Sequence, residues 1–139
     1  MKMNFRALMM SSVVLAGWPV LNAVAAGSAP TGLWYDHTGR GAVEITDCGG
    51  RLCGRIAWLK AGVNAKGCGI QVLGNVPQKG PGLWEGGWIY DPEEDSKYDV
   101  EVTQIGADKL KILGYAGVKL LGETMMWTRA PAELPRCKS

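Results

Sequence analysis

The sequence has one histidine, His37, and one phenylalanine, Phe5. A single imidazole gives a metal no second histidine, and the four cysteines include no pair of C-x-x-C segments to complete a tetrahedral zinc site. No serine stands in a G-x-S-x-G setting, and no phosphate-binding glycine loop precedes a helical segment. His37 therefore has neither an evident nucleophile nor a metal partner, and no cofactor is indicated. Also missing are an internal repeat, a sustained helical period and an acidic residue before Asp36.

The residues present at the start have the three parts of a secretory signal. Lys2 and Arg6 lead, the apolar stretch 7–18 follows, Pro19 breaks it, and Ala23-Val24-Ala25-Ala26 supplies small residues for a peptidase. This predicts a signal peptide over 1–26, cleaved after Ala25 or Ala26, and a periplasmic or secreted domain over 27–139. The apolar stretch is shorter than the ~20 residues a spanning helix needs, so no stable membrane anchor is expected. Nor does a cysteine sit at the cleavage site to carry a lipid. Cleavage removes two of the 15 basic residues and leaves the rest balanced against 13 acidic ones. A neutral domain carries no footprint for nucleic acid.

An even cysteine count in an exported chain reads first as disulfides. Cys48 and Cys53 flank the turn-forming Gly49-Gly50-Arg51-Leu52, which suits a bridge across a hairpin mouth. Cys68 and Cys137 are left as a second pair or as two free thiols; their spacing requires neither. Unpaired, Cys68 in Gly67-Cys68-Gly69 would be a candidate reactive thiol beside Lys66.

Apolar residues alternate at period two nearly throughout: Val43 and Ile45, Ile56 and Trp58, Tyr98 with Val100 and Val102, Leu110 and Ile112, Met125 and Trp127. Strands are predicted near 32–36, 41–46, 53–60, 70–73, 86–91, 97–104, 109–115 and 123–129, separated by Gly- and Asp-rich turns. Such a chain is all-β, an antiparallel meander closing into a barrel or sandwich. From Ala61 to Gly87 glycines and prolines are dense and alternation fades. This predicts one long Gly-rich connection, either a lid or a packed surface crossing.

Gly32-Leu33-Trp34 opens the first strand and Trp127-Thr128-Arg129 closes the last. This pairing resembles the lipocalin-like, or calycin, barrel, in which a G-x-W tryptophan packs across the closed end under an arginine. A wider set of residues extends the likeness. Val43-Glu44-Ile45, Cys48, Leu52-Cys53-Gly54-Arg55-Ile56-x-Trp58-Leu59, Cys68-Gly69, Trp84-x-Gly86-Gly87-x-Ile89-Tyr90-Asp91-Pro92, Tyr98 and Gly114 are similar to the exported family called domain of unknown function 2147. The resemblance implies a small up-and-down barrel of about eight strands, with Gly32, Trp34 and Arg129 structural and no established activity. The chain departs from the family pattern in two places. Glu93-Glu94-Asp95-Ser96-Lys97 replaces a tight Asp-Gly-Lys turn, and Tyr115 and Gly122 stand where the family often has further cysteines.

Five tryptophans follow residue 26, enough to line an apolar cavity or to fill a small barrel. Trp84 and Trp88, beside the Gly-rich stretch, are the candidates for a cavity mouth, with Tyr90 and Tyr98 as polar-tipped walls. Trp58, Trp127 and Met125 are candidates to close the interior. Two functions follow: a non-catalytic binder of a small apolar or amphipathic ligand, or an envelope structural or protein-interaction module with a filled barrel. A third, a hydrolase using the acidic turn of Asp91, Glu93, Glu94 and Asp95, would need Asp91 or Glu93 in a cleft rather than on a solvated corner. No protein partner is specified.

Overall fold

The structure, a computed structural model, describes residues 16–17 and 30–137. The segment 1–26, predicted above as a signal peptide, and its predicted cleavage point lie outside these residues, apart from Ala16 and Gly17. Eight strands form one closed antiparallel barrel in which each strand pairs with its neighbours in sequence and β8 pairs back to β1. They are β1 (Gly32–Tyr35), β2 (Gly41–Asp47), β3 (Arg51–Leu59), β4 (Gln71–Gly80), β5 (Leu83–Asp91), β6 (Ser96–Ile105), β7 (Lys109–Tyr115) and β8 (Glu123–Arg129). Among the described residues, two short 3-10 turns, Ala65–Gly67 and Lys119–Leu121, are the only helical elements.

Alternation buries one face of each strand in the barrel. Val43 and Ile45, Val100 and Val102, and Leu110 and Ile112 all point into one continuous core. Trp34, Trp84 and Trp127 join them, so three indoles pack where a wider barrel would hold a cavity. A smaller apolar layer lies outside the wall, where Leu33, Ala42 and Ala130 are covered by Tyr35, Ala57, Trp58 and Leu134. The last residues thus run back across the outer face of β1–β3. Cys137 N–H bonds to the Ala57 carbonyl at 2.6 Å, and Arg136 pairs with Glu44 at 2.7 Å.

Both cysteine pairs are bridged, Cys48 with Cys53 and Cys68 with Cys137. The second bridge ties the C-terminal segment to the loop before β4, which resolves the alternative left open by spacing.

The stretch 61–87 differs from expectation. Most of it is the hairpin β4–β5, and the irregular connection shrinks to residues 60–70. Two of the glycines that read as loop, Gly74 and Gly87, sit where strands approach closely. A Cβ on Gly74 would overlap the Trp88 indole, and one on Gly87 would overlap the Gly74 carbonyl. Asn75, at φ 51°, marks the accompanying irregularity in β4.

Candidate functional site

The end of the barrel where β1 starts is closed by Trp34 and Arg129. The guanidinium carbon lies 3.8 Å from the indole centroid, and Trp34 Nε1 donates to the Pro30 carbonyl at 2.9 Å. Arg129 also donates to Thr31 O at 2.7 Å and to Ala107 O at 3.3 Å. Burial lowers the pKa of this arginine. Gly32 makes room for it: φ is +112°, and a Cβ would stand 2.9 Å from the Arg129 Nη1. Its Nε, Nη1 and Nη2 thus each reach a backbone carbonyl while the cation lies on the indole face, which ties the first and last strands together at this end.

The four ligand-site candidates do not share a surface. Trp84, 5% exposed, is a core residue. Ile89 packs inside, so its neighbours Trp88 and Tyr90 face outward, where Lys97 Nζ stands 4.1 Å from the Trp88 centroid. Tyr98 lies inward at the opposite rim, packed against the core. Both tyrosine hydroxyls are engaged, Tyr90 donating to Asp95 at 2.8 Å and Tyr98 to Glu94 at 2.7 Å. Those hydrogen bonds to carboxylates raise both phenol pKa values. The acidic turn itself is an exposed corner, with the Glu93 side chain 82% exposed and Asp91 capping the turn through Glu93 N–H.

Trp58 takes a position opposite to expectation. Val43 pairs with Ile56 and Ala42 with Trp58, so a bulge at Ala57 reverses the alternation and turns the indole outward. Two depressions meet at this residue. The first, about 490 Å³ and shallow, is bounded by Tyr35, His37, Trp58, Lys60, Met126 and Thr128. The second, about 340 Å³, runs from Trp58 along the 60–65 loop to the Cys68–Cys137 bridge. Tyr35 meets Trp58 edge to face, with ring centroids 5.7 Å apart. The lining of the first depression therefore combines the Tyr35 and Trp58 rings with polar residues that include Asp36, His37 and Lys60. Its sequence signal was the sole histidine six residues ahead of an alternating strand, which by itself points nowhere.

Inside the barrel one polar atom is without a partner. Trp127 Nε1 is buried and makes no hydrogen bond among the described residues. Among the same residues, no cluster of three His, Cys, Asp or Glu side chains is placed to hold a metal.

A closed eight-stranded barrel plugged by a G-x-W tryptophan under a terminal arginine is lipocalin-like in class. The chain belongs to the bacterial family of uncharacterised proteins DUF2147, whose model matches residues 32–129. Among solved structures it is similar to protein HP1028 of Helicobacter pylori, described as belonging to the lipocalin family, with a TM-score of 0.61 and 18% identity. The match covers 74% of this chain and 84% of that one, and at this identity it speaks to fold alone. No curated protein sequence matches the chain.

Proposed function

We propose that the protein is a non-catalytic binding module of the bacterial cell envelope, exported after removal of residues 1–26, with a filled barrel and an external recognition surface at Trp58. One observation carries this reading. Trp34, Trp84 and Trp127 occupy the interior, while Trp58 stands outside between two depressions. Tyr35 and Trp58 offer apolar ring surface, and His37 and Lys60 offer polar contacts at its edge, the mixture found at protein-recognition surfaces. An open cleft of this kind suits a ligand that lies across it better than one that must be engulfed. The two disulfides suit an oxidising compartment such as the periplasm or the exterior.

The test uses the amphipathic probe 8-anilinonaphthalene-1-sulfonate. Fluorescence enhancement should be lost in Trp58→Ala and retained in Trp88→Ala. Equal enhancement in Trp58→Ala and the wild type would count against the external site.

A second reading is favoured by the orphan Trp127 Nε1. A small apolar or amphipathic molecule carrying one acceptor atom, lodged among the core indoles, would satisfy that donor. Native mass spectrometry of protein taken from the periplasm tests it. A bound small molecule that survives Trp58→Ala would favour this reading over the first.

A further inference from the structure

The seam between β8 and β1 closes the barrel over a short length only. Strand β8 pairs with β7 at six positions, from Glu123 to Thr128, but with β1 at only two, through Thr128 and Arg129. The reason lies in the first hairpin. Asp36 N–H turns to the Gly41 carbonyl, and the Asp36 carbonyl accepts from Gly39 N–H, so the chain leaves β8 after Tyr35. Thr38, bonded through N–H and hydroxyl to Asp36 Oδ1, fixes that departure.

The direction of the unpaired groups follows from period two. Arg129 N–H donates to Asp108 on the β7 side, and Ala130 N–H donates to Leu33 on the β1 side. Alternation along the strand then aims the backbone groups of Met126 and Thr124 toward the gap. Among the described residues nothing pairs with them there. Natural edges are usually blunted by lysine, proline or a bulge. Here the stretch is Thr124-Met125-Met126, its register with β7 unbroken, and Met126 is 40% exposed. The same Met126 borders the 490 Å³ depression with Tyr35 and Trp58.

We infer that this edge takes an extended polypeptide segment as an added strand, continuing the line of β1 beside Thr124 and Met126. The inference rests on the external site proposed above and names its partner class. Backbone hydrogen bonds to Met126 and Thr124 hold the segment, whatever its sequence. Tyr35 faces outward opposite Thr128, so the added residue opposite Met126 also points outward, toward the Tyr35 and Trp58 rings. That position selects an apolar or aromatic side chain.

The experiment is amide exchange on the 15N-labelled protein, alone and with a blocked heptapeptide of alternating threonine and valine. In the free protein the Thr124 and Met126 amides should exchange at least about tenfold faster than those of Met125 and Trp127, which face β7. Peptide should slow both by about tenfold or more, the level of a formed ladder. The same peptide N-methylated on the edge that faces β8 should have no effect. Met126→Pro, which removes an N–H the β7 ladder does not use, should abolish protection, and Met126→Lys should weaken it where the proline variant fails to fold. Slow exchange at Thr124 and Met126 in the free protein overturns the inference. So does an absence of protection by peptide, or equal protection by the N-methylated form. If the fluorescent probe responds through Trp58 while the peptide protects nothing, the external site stands and strand addition falls; if neither responds, both fall.

Discussion

At the scale of single residues, the plug and the glycine contacts set the local energetics. Replacing Arg129 by Met keeps a long side chain but removes the charge over Trp34 and the donors to Thr31 and Ala107. A loss of about 1–2 kcal/mol is expected from the cation–π contact, read as a lower urea midpoint. Gly74→Ala places a methyl group into the Trp88 ring and should cost roughly 1–3 kcal/mol, as overpacking does. Gly80, with open space around its missing Cβ, is the control. Gly80→Ala should fall within about half a kcal/mol of the parent, like most surface changes. Equal effects at the two glycines would show that close approach is not what requires Gly74. The meeting of Trp34 and Arg129 was legible through the resemblance to the calycin pattern, which sets a G-x-W tryptophan under an arginine of the last strand. Gly74 and Gly87 were not, because a glycine that admits a neighbouring strand looks the same in sequence as one that makes a loop.

At the scale of elements, the regular strands were legible wherever period two ran unbroken, as in β6 and β7. Two breaks misled. Pro77 and the glycines hid the part of β4 beyond residue 73, and the bulge at Ala57 reversed the face of Trp58 relative to Ile56. The C-terminal segment is held by the Cys68–Cys137 bridge, which closes 69 residues of chain. The paired change Cys68→Ser with Cys137→Ser should lower stability by about 4 kcal/mol in the chain-entropy model, measured by urea unfolding. Near-parental stability would place the holding force in the Ala130 and Leu134 packing instead. The loop between β7 and β8 is tied down differently. Lys119 bridges Glu85 at 2.7 Å and Glu101 at 2.6 Å, leaving Leu120 91% exposed beside it. The hydrogen bond from Lys119 holds Glu85 below the usual carboxylate pKa. A carboxylate with a lowered folded pKa contributes above its unfolded value, and the contribution is lost as pH falls through the folded one. Amide exchange over residues 116–122 should therefore accelerate, relative to the rest of the barrel, as pH drops below the ordinary glutamate range. In Glu85→Gln that pH response should be reduced, and an unchanged response would remove Glu85 from the account.

At the scale of the whole molecule, the barrel combines a lipocalin-like closure with an interior occupied by its own side chains. Three of the five tryptophans after residue 26 are spent on that interior, and one, Trp58, marks the outside cleft. The class of fold could be read in advance from alternation and the G-x-W motif. The location of the proposed site could not, since it depends on a single bulge, a short β1 and the path of the C-terminal segment, none of which leaves a period in sequence. The central claim, that recognition happens outside a filled barrel, is tested most directly by following the tryptophan indole 15N–1H signals while titrating 8-anilinonaphthalene-1-sulfonate. The Trp58 signal should shift with the probe while that of Trp127 stays in place. A shift at Trp127 with Trp58 unmoved would contradict that claim and put the ligand inside the barrel.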